Sequence, residues 1–235
     1  MPSLLPPAQI HADSRALLIA AARQMSATGL TPGTAGNLSC RQHIETGEGS
    51  CEGFLITPSG IPYAALEPGD IVFLPFDTEG EEAGKYGNRR KPSSEWRIHR
   101  DLYQSRPEAG AVLHAHSLFA TALACLRGDI PPFHYMIARF GGSTVRCAPY
   151  ATFGTQPLSE AALGALRDRR ACLLANHGML VFGHDCAHAL DLALELETLC
   201  AQYWHARQLG TPALLDSEEM ARVLEKFSSY GQQNP

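Results

Sequence analysis

Residues 111–126, AVLHAHSLFATALACL, are apolar almost throughout, yet they carry two histidines, His114 and His116. The first seven residues have the pattern of a buried strand, and the LFATALACLRG that follows has the pattern of a helix. Side chains two apart on a strand point to the same face, so we expect the two imidazoles side by side, roughly 7 Å apart along the strand. Such a pair is well placed to chelate a metal ion. Satisfied core or edge histidines explain an H-x-H dipeptide equally well.

A second apolar segment, CLLANHGML, carries another histidine, His177, between Asn176 and Gly178. By itself it has the pattern of a core histidine, although a glycine beside it allows a close backbone approach. Together with the H-x-H pair it predicts a three-histidine site, which binds Zn²⁺ well and leaves a fourth position free. Glu95, in PSSEW, is the candidate fourth ligand or base. A carboxylate that merely favours a helix N-terminus explains this residue as well.

Three short turns have the chemistry of an anion site. Backbone N–H groups in glycine turns and at helix N-termini, helped by hydroxyl groups, hold phosphate without lysine or arginine. Each turn taken alone is also explained as an ordinary turn or helix cap. The residues concerned, in TAGNLS, TPSG and KPSS, are Gly36, Asn37, Ser59, Gly60, Ser93 and Ser94.

The rest of the chain mixes predicted strands and helices without strict alternation. Helices are predicted from Ser14 to about Ser26, over residues 94–105, over 185–210 and over 217–227. Strands are predicted in GFLITPSGIPY, in DIVFLPF and in RACLLANHGMLVFG, the last holding two strands or one strand with a turn. Residues 77–91 are polar and glycine-rich and predict a loop. This pattern favours a layered α/β or α+β fold over a doubly wound dinucleotide fold, and no internal repeat or linker divides the 235 residues, so residues 1–235 are interpreted as one domain.

Composition excludes several classes of protein. The chain is 45% hydrophobic and 18% charged with a net charge of −5, and it lacks the clustered basic face of a nucleic-acid binder. No apolar run reaches transmembrane length, and the N-terminal residues lack the features of a signal peptide. The seven cysteines are scattered without a C-x-x-C pair. Buried reduced thiols in a cytoplasmic protein fit this pattern better than a disulfide framework.

The motifs together resemble the class II aldolase/adducin family, and most closely its bacterial L-fuculose-phosphate aldolase branch. The matching stretches are GNLS, ITPSGIPY, PSSEWRIH, HAHS, HYMIARFGGSTVRCAPYATFGT, LSE, ANHG and EKFSSYG. They span about residues 14–231, nearly the whole chain, while the segments 42–52 and 77–91 look like longer or different loops. The resemblance implies an α/β fold of three layers, α/β/α, with a central, largely antiparallel sheet. It also implies a homotetramer with active sites at the subunit interfaces.

The resemblance assigns roles to individual residues. It implies one Zn²⁺ per subunit, with ligands at Glu95, His114, His116 and His177, and it matches the six turn residues to phosphate-binding positions. Glu95 also matches the catalytic acid/base. Tyr135 matches a tyrosine that acts on the aldehyde oxygen from a neighbouring subunit. Phe153 and Tyr230 match positions of the aldehyde pocket.

The activity that the resemblance implies is reversible cleavage of a ketose 1-phosphate, such as L-fuculose 1-phosphate or a related deoxy-ketose 1-phosphate. The products are dihydroxyacetone phosphate and a small aldehyde such as lactaldehyde. Pentulose-phosphate 4-epimerases, dehydratases and decarboxylases share the metal site and remain alternatives. A non-catalytic adducin-like scaffold is the alternative from another class.

Overall fold

A seven-stranded sheet forms the centre of the computed structural model, which describes residues 12–46, 49–77 and 88–229. Its strand order is β3-β2-β1-β4-β7-β6-β5, and every neighbouring pair is antiparallel except β5 and β6. The strands are β1 (Asn37–Thr46), β2 (Gly49–Ile56), β3 (Val72–Pro75), β4 (Ala111–Ala115), β5 (Arg146–Ala148), β6 (Ala171–Leu174) and β7 (Gly178–Gly183).

Six α-helices lie in the described ranges. They are α1 (Ala12–Ala27), α2 (Trp96–Ser105), α3 (Leu118–Ala124), α4 (Gln156–Ala165), α5 (Cys186–Leu209) and α6 (Ser217–Ser229). Short 3₁₀ segments, Tyr63–Ala65, Pro68–Asp70 and Tyr135–Phe140, connect them. None of these helices has both the length and the apolar character needed to span a bilayer.

Each face of the sheet is covered by helices, which confirms the predicted three-layer fold. Side chains alternate along a strand, so Leu113 of β4 joins one apolar cluster and Val112 joins the other. The first cluster contains buried residues of α1, α3 and α5, and the second contains buried residues of α2 and α4. His114 lies on the face of Val112, so it points toward the layer that holds α2.

The interpretation of residues 42–52 as a loop was wrong. β1 and β2 form a hairpin whose register runs from Ser39 opposite Ile56 to Thr46 opposite Gly49. In the described chain β4 pairs with β1 only from Asn37 to Cys40, so the far part of the hairpin extends past β4. Polar residues suit that position, and they obscure the alternation that marks a half-buried strand.

The other sequence predictions differ from the structure at element ends. α1 begins at Ala12, two residues before the predicted cap Ser14. The segment RACLLANHGMLVFG forms two strands, β6 and β7, with the turn at residues 175–177. Most of the predicted 77–91 loop lies outside the described residues, and residues 88–91 contain neither helix nor strand.

Glu197 of α5 fixes the start of α3, directly after the H-x-H pair. Its carboxylate accepts hydrogen bonds from Ser117 Oγ at 2.6 Å, from the Phe119 amide at 2.8 Å and from the Ala120 amide at 2.9 Å. The Ser117 side chain makes no capping bond of its own, so a neighbouring helix supplies the acceptor that this N-terminus needs. The chain after His116 is thereby tied to the long helix α5.

We expect Glu197→Gln to lower the free energy of unfolding by about 1–3 kcal/mol, because an amide replaces an oxygen that accepts charge-assisted hydrogen bonds. Glu195→Gln on the same helix is the matched control. Glu195 forms an ion pair of 3.3 Å with Arg139, which also pairs with Asp191, and its loss should cost about 0–1 kcal/mol. Urea denaturation of the two variants measures the difference. Equal destabilisation by the two substitutions would contradict the anchoring role.

Candidate active site

Three imidazoles from two parts of the sheet meet at one point. His114 lies on β4, His116 lies one residue beyond its end, and His177 lies in the turn between β6 and β7. The ring centroids are 4.8 Å apart for His114 and His116, 4.7 Å for His114 and His177, and 4.8 Å for His116 and His177. The H-x-H rings therefore turn toward each other and form a nearly equilateral triangle with the third ring.

The turn that carries His177 needs its two unusual neighbours. Asn176 has a φ of +53°, in the left-handed region that Asn tolerates better than most residues. Gly178 packs against the backbone of Ala115, and a Cβ at this position would overlap the Ala115 carbonyl oxygen. The glycine thus permits the close approach of β7 to β4 that the sequence suggested.

The carboxylate of Glu95 completes the group. Glu95 directly precedes α2, yet its side chain makes no capping hydrogen bond to the helix. Its Oε2 lies 3.1 Å from His114 Nε2, and its Oε1 lies 3.4 Å from His177 Nε2. Asn37 Nδ2 donates a hydrogen bond of 3.0 Å to Oε2. The side chain is therefore directed to the histidines and not to the helix terminus.

The donor set fits a divalent metal ion. One ligand atom from each of Glu95, His114, His116 and His177 lies within 4.8 Å of all the others. Three imidazole nitrogens and one carboxylate oxygen are the ligands that zinc takes in proteins. Glu95 Oε1 is buried and has no hydrogen-bond partner among the described residues. A buried carboxylate oxygen without a partner is costly, and a cation at the centre of the group would satisfy it.

Local electrostatics keep two of the histidines ready to bind a metal. Burial, followed by the nearby His114, lowers the pKa of His116 and of His177 to about 4, so both are neutral near pH 7. Burial also lowers the pKa of His114, but the Glu95 carboxylate raises it by more. For Glu95 burial raises the pKa, while His114, His177 and the Asn37 hydrogen bond lower it further than burial raises it.

His114 has a fixed orientation. Its Nδ1 lies 2.8 Å from the carbonyl oxygen of Met179 on β7. A carbonyl can only accept, so Nδ1 carries a hydrogen, and Nε2 is the ring nitrogen that faces the centre of the group, 3.1 Å from Glu95 Oε2. A backbone partner for the second ring nitrogen is the usual device that orients a metal-binding histidine.

A cavity of about 400 Å³ opens beside this group. All six predicted phosphate-binding residues line it, together with Glu95, His116 and His177. A bridge between Pro58 and Pro92, and a hydrogen bond of 3.1 Å from the Ser93 amide to the Thr57 carbonyl, bring the TPSG and KPSS turns together. Another part of its lining is formed by Tyr150, Ala151, Phe153 and Asn176.

One of the predicted residues lies away from this cavity, and another is outside the described residues. Tyr135 begins the 3₁₀ segment Tyr135–Phe140; it is half-exposed, stacks on Phe227 of α6 with centroids 6.4 Å apart, and does not line the cavity of its own chain. Tyr230 lies outside the described residues. Phe153 lines the cavity but is largely exposed.

Sequence reasoning missed a buried polar chain behind Glu95. His99 Nε2 lies 2.5 Å from Asn37 Oδ1, and His99 Nδ1 lies 2.6 Å from Ser39 Oγ, which in turn lies 2.8 Å from the Tyr103 hydroxyl. Spacing was an available signal. Residues 95, 99 and 103 are four apart and share a helix face, while residues 37 and 39 are two apart and share a strand face.

Comparison with known proteins identifies the family. The family model described as Class II Aldolase and Adducin N-terminal domain matches residues 16–204. The chain belongs to this family. The 5-methylthioribulose-1-phosphate/5-deoxyribulose-1-phosphate aldolase of Rhodospirillum rubrum is 52% identical over 214 residues, covering 91% of this chain and 90% of that protein. The L-fuculose phosphate aldolase of Escherichia coli strain K12 is 45% identical over 209 residues, covering 88% and 91%.

A solved structure agrees with the sequence comparison. An L-fuculose 1-phosphate aldolase superposes with a TM-score of 0.81 at 39% identity, covering 92% of this chain and 96% of that one. The chain is therefore a class II aldolase, a metal-dependent aldehyde-lyase, and the prediction of the family from GNLS, HAHS and ANHG is confirmed. Its relatives act on phosphorylated sugars, as their names state.

We expect His99 to make the metal-free protein less stable in acid. Burial, with His114 adding to it and Glu95 opposing it, lowers the pKa of His99 from 6.5 to about 3. Between these values the unfolded chain binds a proton that the folded protein excludes, so stability is complete above about pH 6.5 and falls as the pH falls through this window. As the pH falls through this window, the free energy of unfolding of the unsubstituted protein should decrease by about 1.4 kcal/mol per pH unit more than that of His99→Gln. Urea denaturation at several pH values measures both slopes, and equal slopes would contradict the prediction.

Proposed function

We propose that the protein reversibly cleaves a ketose 1-phosphate to dihydroxyacetone phosphate and a small aldehyde. The preferred substrates in this proposal are 5-deoxy-ketopentose 1-phosphates, including those with a methylthio group at carbon 5. One observation carries the proposal: the residues of the three turns line the same cavity as Glu95, His116 and His177, which are three of the four candidate metal ligands. The turns can hold a phosphate while the reacting carbons lie beside the carboxylate and the metal ligands.

In this proposal each subunit holds one Zn²⁺ through Glu95, His114, His116 and His177. The donor set of three imidazoles and a carboxylate supports zinc over Mg²⁺ or Ca²⁺, which prefer oxygen ligands. A bound metal of this kind supplies Lewis-acid stabilisation of the negative charge that develops on the carbonyl oxygen of the substrate.

The phosphate would lie against the three turns. Ser93 and Ser94 offer hydroxyl groups, and Gly60 offers a backbone N–H group. The Gly36 N–H donates to Thr31 Oγ1 at 2.9 Å and the Ser59 hydroxyl group donates to the Pro92 carbonyl at 3.0 Å, so these two would exchange their partners to bind the phosphate. Asn37 lines the same part of the cavity with its side-chain amide. This arrangement holds a phosphate with neutral donors, so the nearby histidines need not be charged to bind the substrate.

Glu95 and Tyr135 would move the protons. In the cleavage direction Tyr135, in its phenolate form, takes the proton of the C4 hydroxyl group, the bond between C3 and C4 breaks, and its electron pair remains on C3. Glu95, after taking up a proton from water, gives that proton to C3, and Tyr135 releases its proton to water; in synthesis both transfers run in reverse. Cleavage of the bond between C3 and C4 thus needs one group that transfers a proton at the C4 hydroxyl group and another that transfers a proton at C3.

We propose further that the enzyme is a homotetramer with active sites between subunits. Tyr135 is half-exposed and lies outside the cavity of its own chain, a position that suits a residue donated to a neighbouring subunit. The other exposed aromatic residues of this region, Tyr150 and Phe153, lie at the cavity edge, where a second subunit would cover them. Phe153 and Tyr230 complete the aldehyde pocket in this proposal.

The wall formed by Tyr150, Ala151 and Phe153 supports an apolar group at carbon 5 of the substrate. Its rings and methyl group offer apolar surface to a methyl or methylthio group, whereas a hydroxyl group would lose hydrogen bonds to water there. The relative at 52% identity acts on such substrates by its name, and the relative at 45% is a fuculose phosphate aldolase.

We expect Glu95→Gln to lower kcat for cleavage by about 100-fold or more, because the amide cannot carry the transferred proton. Glu160→Gln, an exposed change on α4, is the control and should leave kcat unchanged. Circular dichroism checks that both variants fold. Near-normal release of dihydroxyacetone phosphate by Glu95→Gln would refute its role as the acid/base.

We expect kcat/KM to be highest for 5-methylthioribulose 1-phosphate or 5-deoxyribulose 1-phosphate, and lower for L-fuculose 1-phosphate. Release of dihydroxyacetone phosphate is measured for each, with zinc determined on the same sample. Chelation should abolish release, and added Zn²⁺ should restore it. A higher value for L-fuculose 1-phosphate would overturn the preference. Formation of an isomer without triose phosphate would instead indicate an epimerase.

A further inference from the structure

The buried polar chain behind the active site joins residues of α2 and β1. On the helix side it contains Glu95, directly before α2, and then His99 and Tyr103, each four residues further on. On the strand side it contains Asn37 and Ser39 of β1. All five are at most 5% exposed, and His99 is completely buried. Polar groups this deeply buried are stable only when each finds a partner.

The chemistry of the end group fixes the direction of every hydrogen bond in the chain. The Glu95 carboxylate can only accept, so Asn37 must direct Nδ2 toward Oε2 at 3.0 Å and its carbonyl Oδ1 toward His99. Oδ1 also only accepts, so His99 Nε2, at 2.5 Å, must carry the ring hydrogen. The ring is neutral near pH 7 because burial lowers the pKa of His99 to about 3, so Nδ1 is an acceptor and Ser39 donates to it at 2.6 Å.

The far end of the chain satisfies the remaining hydroxyl group. The hydroxyl group of Ser39 donates its hydrogen bond to His99, so its Oγ accepts a hydrogen bond of 2.8 Å from the Tyr103 hydroxyl group. The chain therefore runs one way, from Tyr103 through Ser39, His99 and Asn37 to Glu95. Reversing the amide of Asn37 would place its carbonyl oxygen against the Glu95 carboxylate, acceptor against acceptor, and its N–H₂ group against the Nε2–H of His99, donor against donor.

We propose that His99 is a positioning residue for the active site: its Nε2–H holds the Asn37 amide with Nδ2 toward Glu95 Oε2. Oε2 is thereby fixed on the side of His114, and Oε1 remains the oxygen without a hydrogen-bond partner in the described chain. Asn37 also lines the cavity, so the same orientation presents its N–H₂ group, and not its carbonyl, to an incoming anion. The consequence for turnover rests on the proposed function, whereas the orientation of the amide does not.

The first test uses the unsubstituted protein without substrate. A long-range ¹H–¹⁵N spectrum of the metal-free protein near pH 7 reports which ring nitrogen of each histidine carries hydrogen. The signals of His99 are assigned by their loss in His99→Gln. We expect a neutral ring with hydrogen on Nε2 only. A ring without hydrogen on Nε2 would overturn the proposal whether or not any variant folds, whereas a ring with hydrogen on both nitrogens would still hold the amide through Nε2–H.

The second test compares three variants, each with a substitution at a buried position, His99 or Tyr103. His99→Phe fills the space but removes the donor to Asn37; His99→Gln keeps an N–H near the position of Nε2; Tyr103→Phe removes only the far hydroxyl of the chain. Zn²⁺ affinity is measured by competition with a chromogenic chelator. We expect His99→Phe to lose about 10-fold or more, as for other partners of metal ligands, and the other two to stay within about 3-fold.

Turnover then separates positioning from mere stability. Per metal-loaded molecule, kcat of His99→Phe should fall about 10-fold or more, while His99→Gln and Tyr103→Phe remain near the unsubstituted protein. If His99→Phe is less stable but keeps its Zn²⁺ affinity and kcat, His99 is only structural and the proposal is wrong. If no ketose 1-phosphate is cleaved by any form, the proposed function fails, and the ring spectrum and Zn²⁺ affinity still decide the role of His99.

Discussion

A carboxylate buried at the meeting point of a sheet and a helix sets the main constraint on this protein. Glu95 is 5% exposed, and an isolated charge at such depth is too costly to persist. Its surroundings compensate it from two sides, with His114 and His177 on one and the Asn37 amide on the other. The strand pairings, the turn at His177 and the start of α2 all serve to place these partners.

The sheet supplies that placement through its register. Asn37 of β1 lies opposite His114 of β4, and His114 lies opposite Leu180 of β7. Paired residues in an antiparallel sheet point to the same face, so Asn37 and His114 both face α2. A shift of one residue in either pairing would turn one of them into the other apolar layer. The active-site geometry and the core packing therefore depend on the same hydrogen-bond ladder.

Much of the fold was accessible from local patterns. AVLHAHS and the long helix after residue 185 have clear periodicity, and the structure has a strand and a helix there. The hairpin through residues 42–52 was not accessible, since its mostly polar sequence has no regular alternation of apolar and polar residues. The short strand β5 and the 3₁₀ segments were also not predicted, because three to six residues carry too little periodic signal.

By itself the sequence determined the family and which residue types carry the chemistry, because GNLS, PSSEW, HAHS and ANHG are local motifs. It also determined that His114 and His116 share a face, since strand periodicity is a property of the backbone. Only the tertiary structure decided that His177 and Glu95 reach that pair, that Tyr135 lies outside the cavity, and that His99 stands behind Asn37. Those relations join elements that are dozens of residues apart, and the distance between such elements is set by packing and register, not by local spacing.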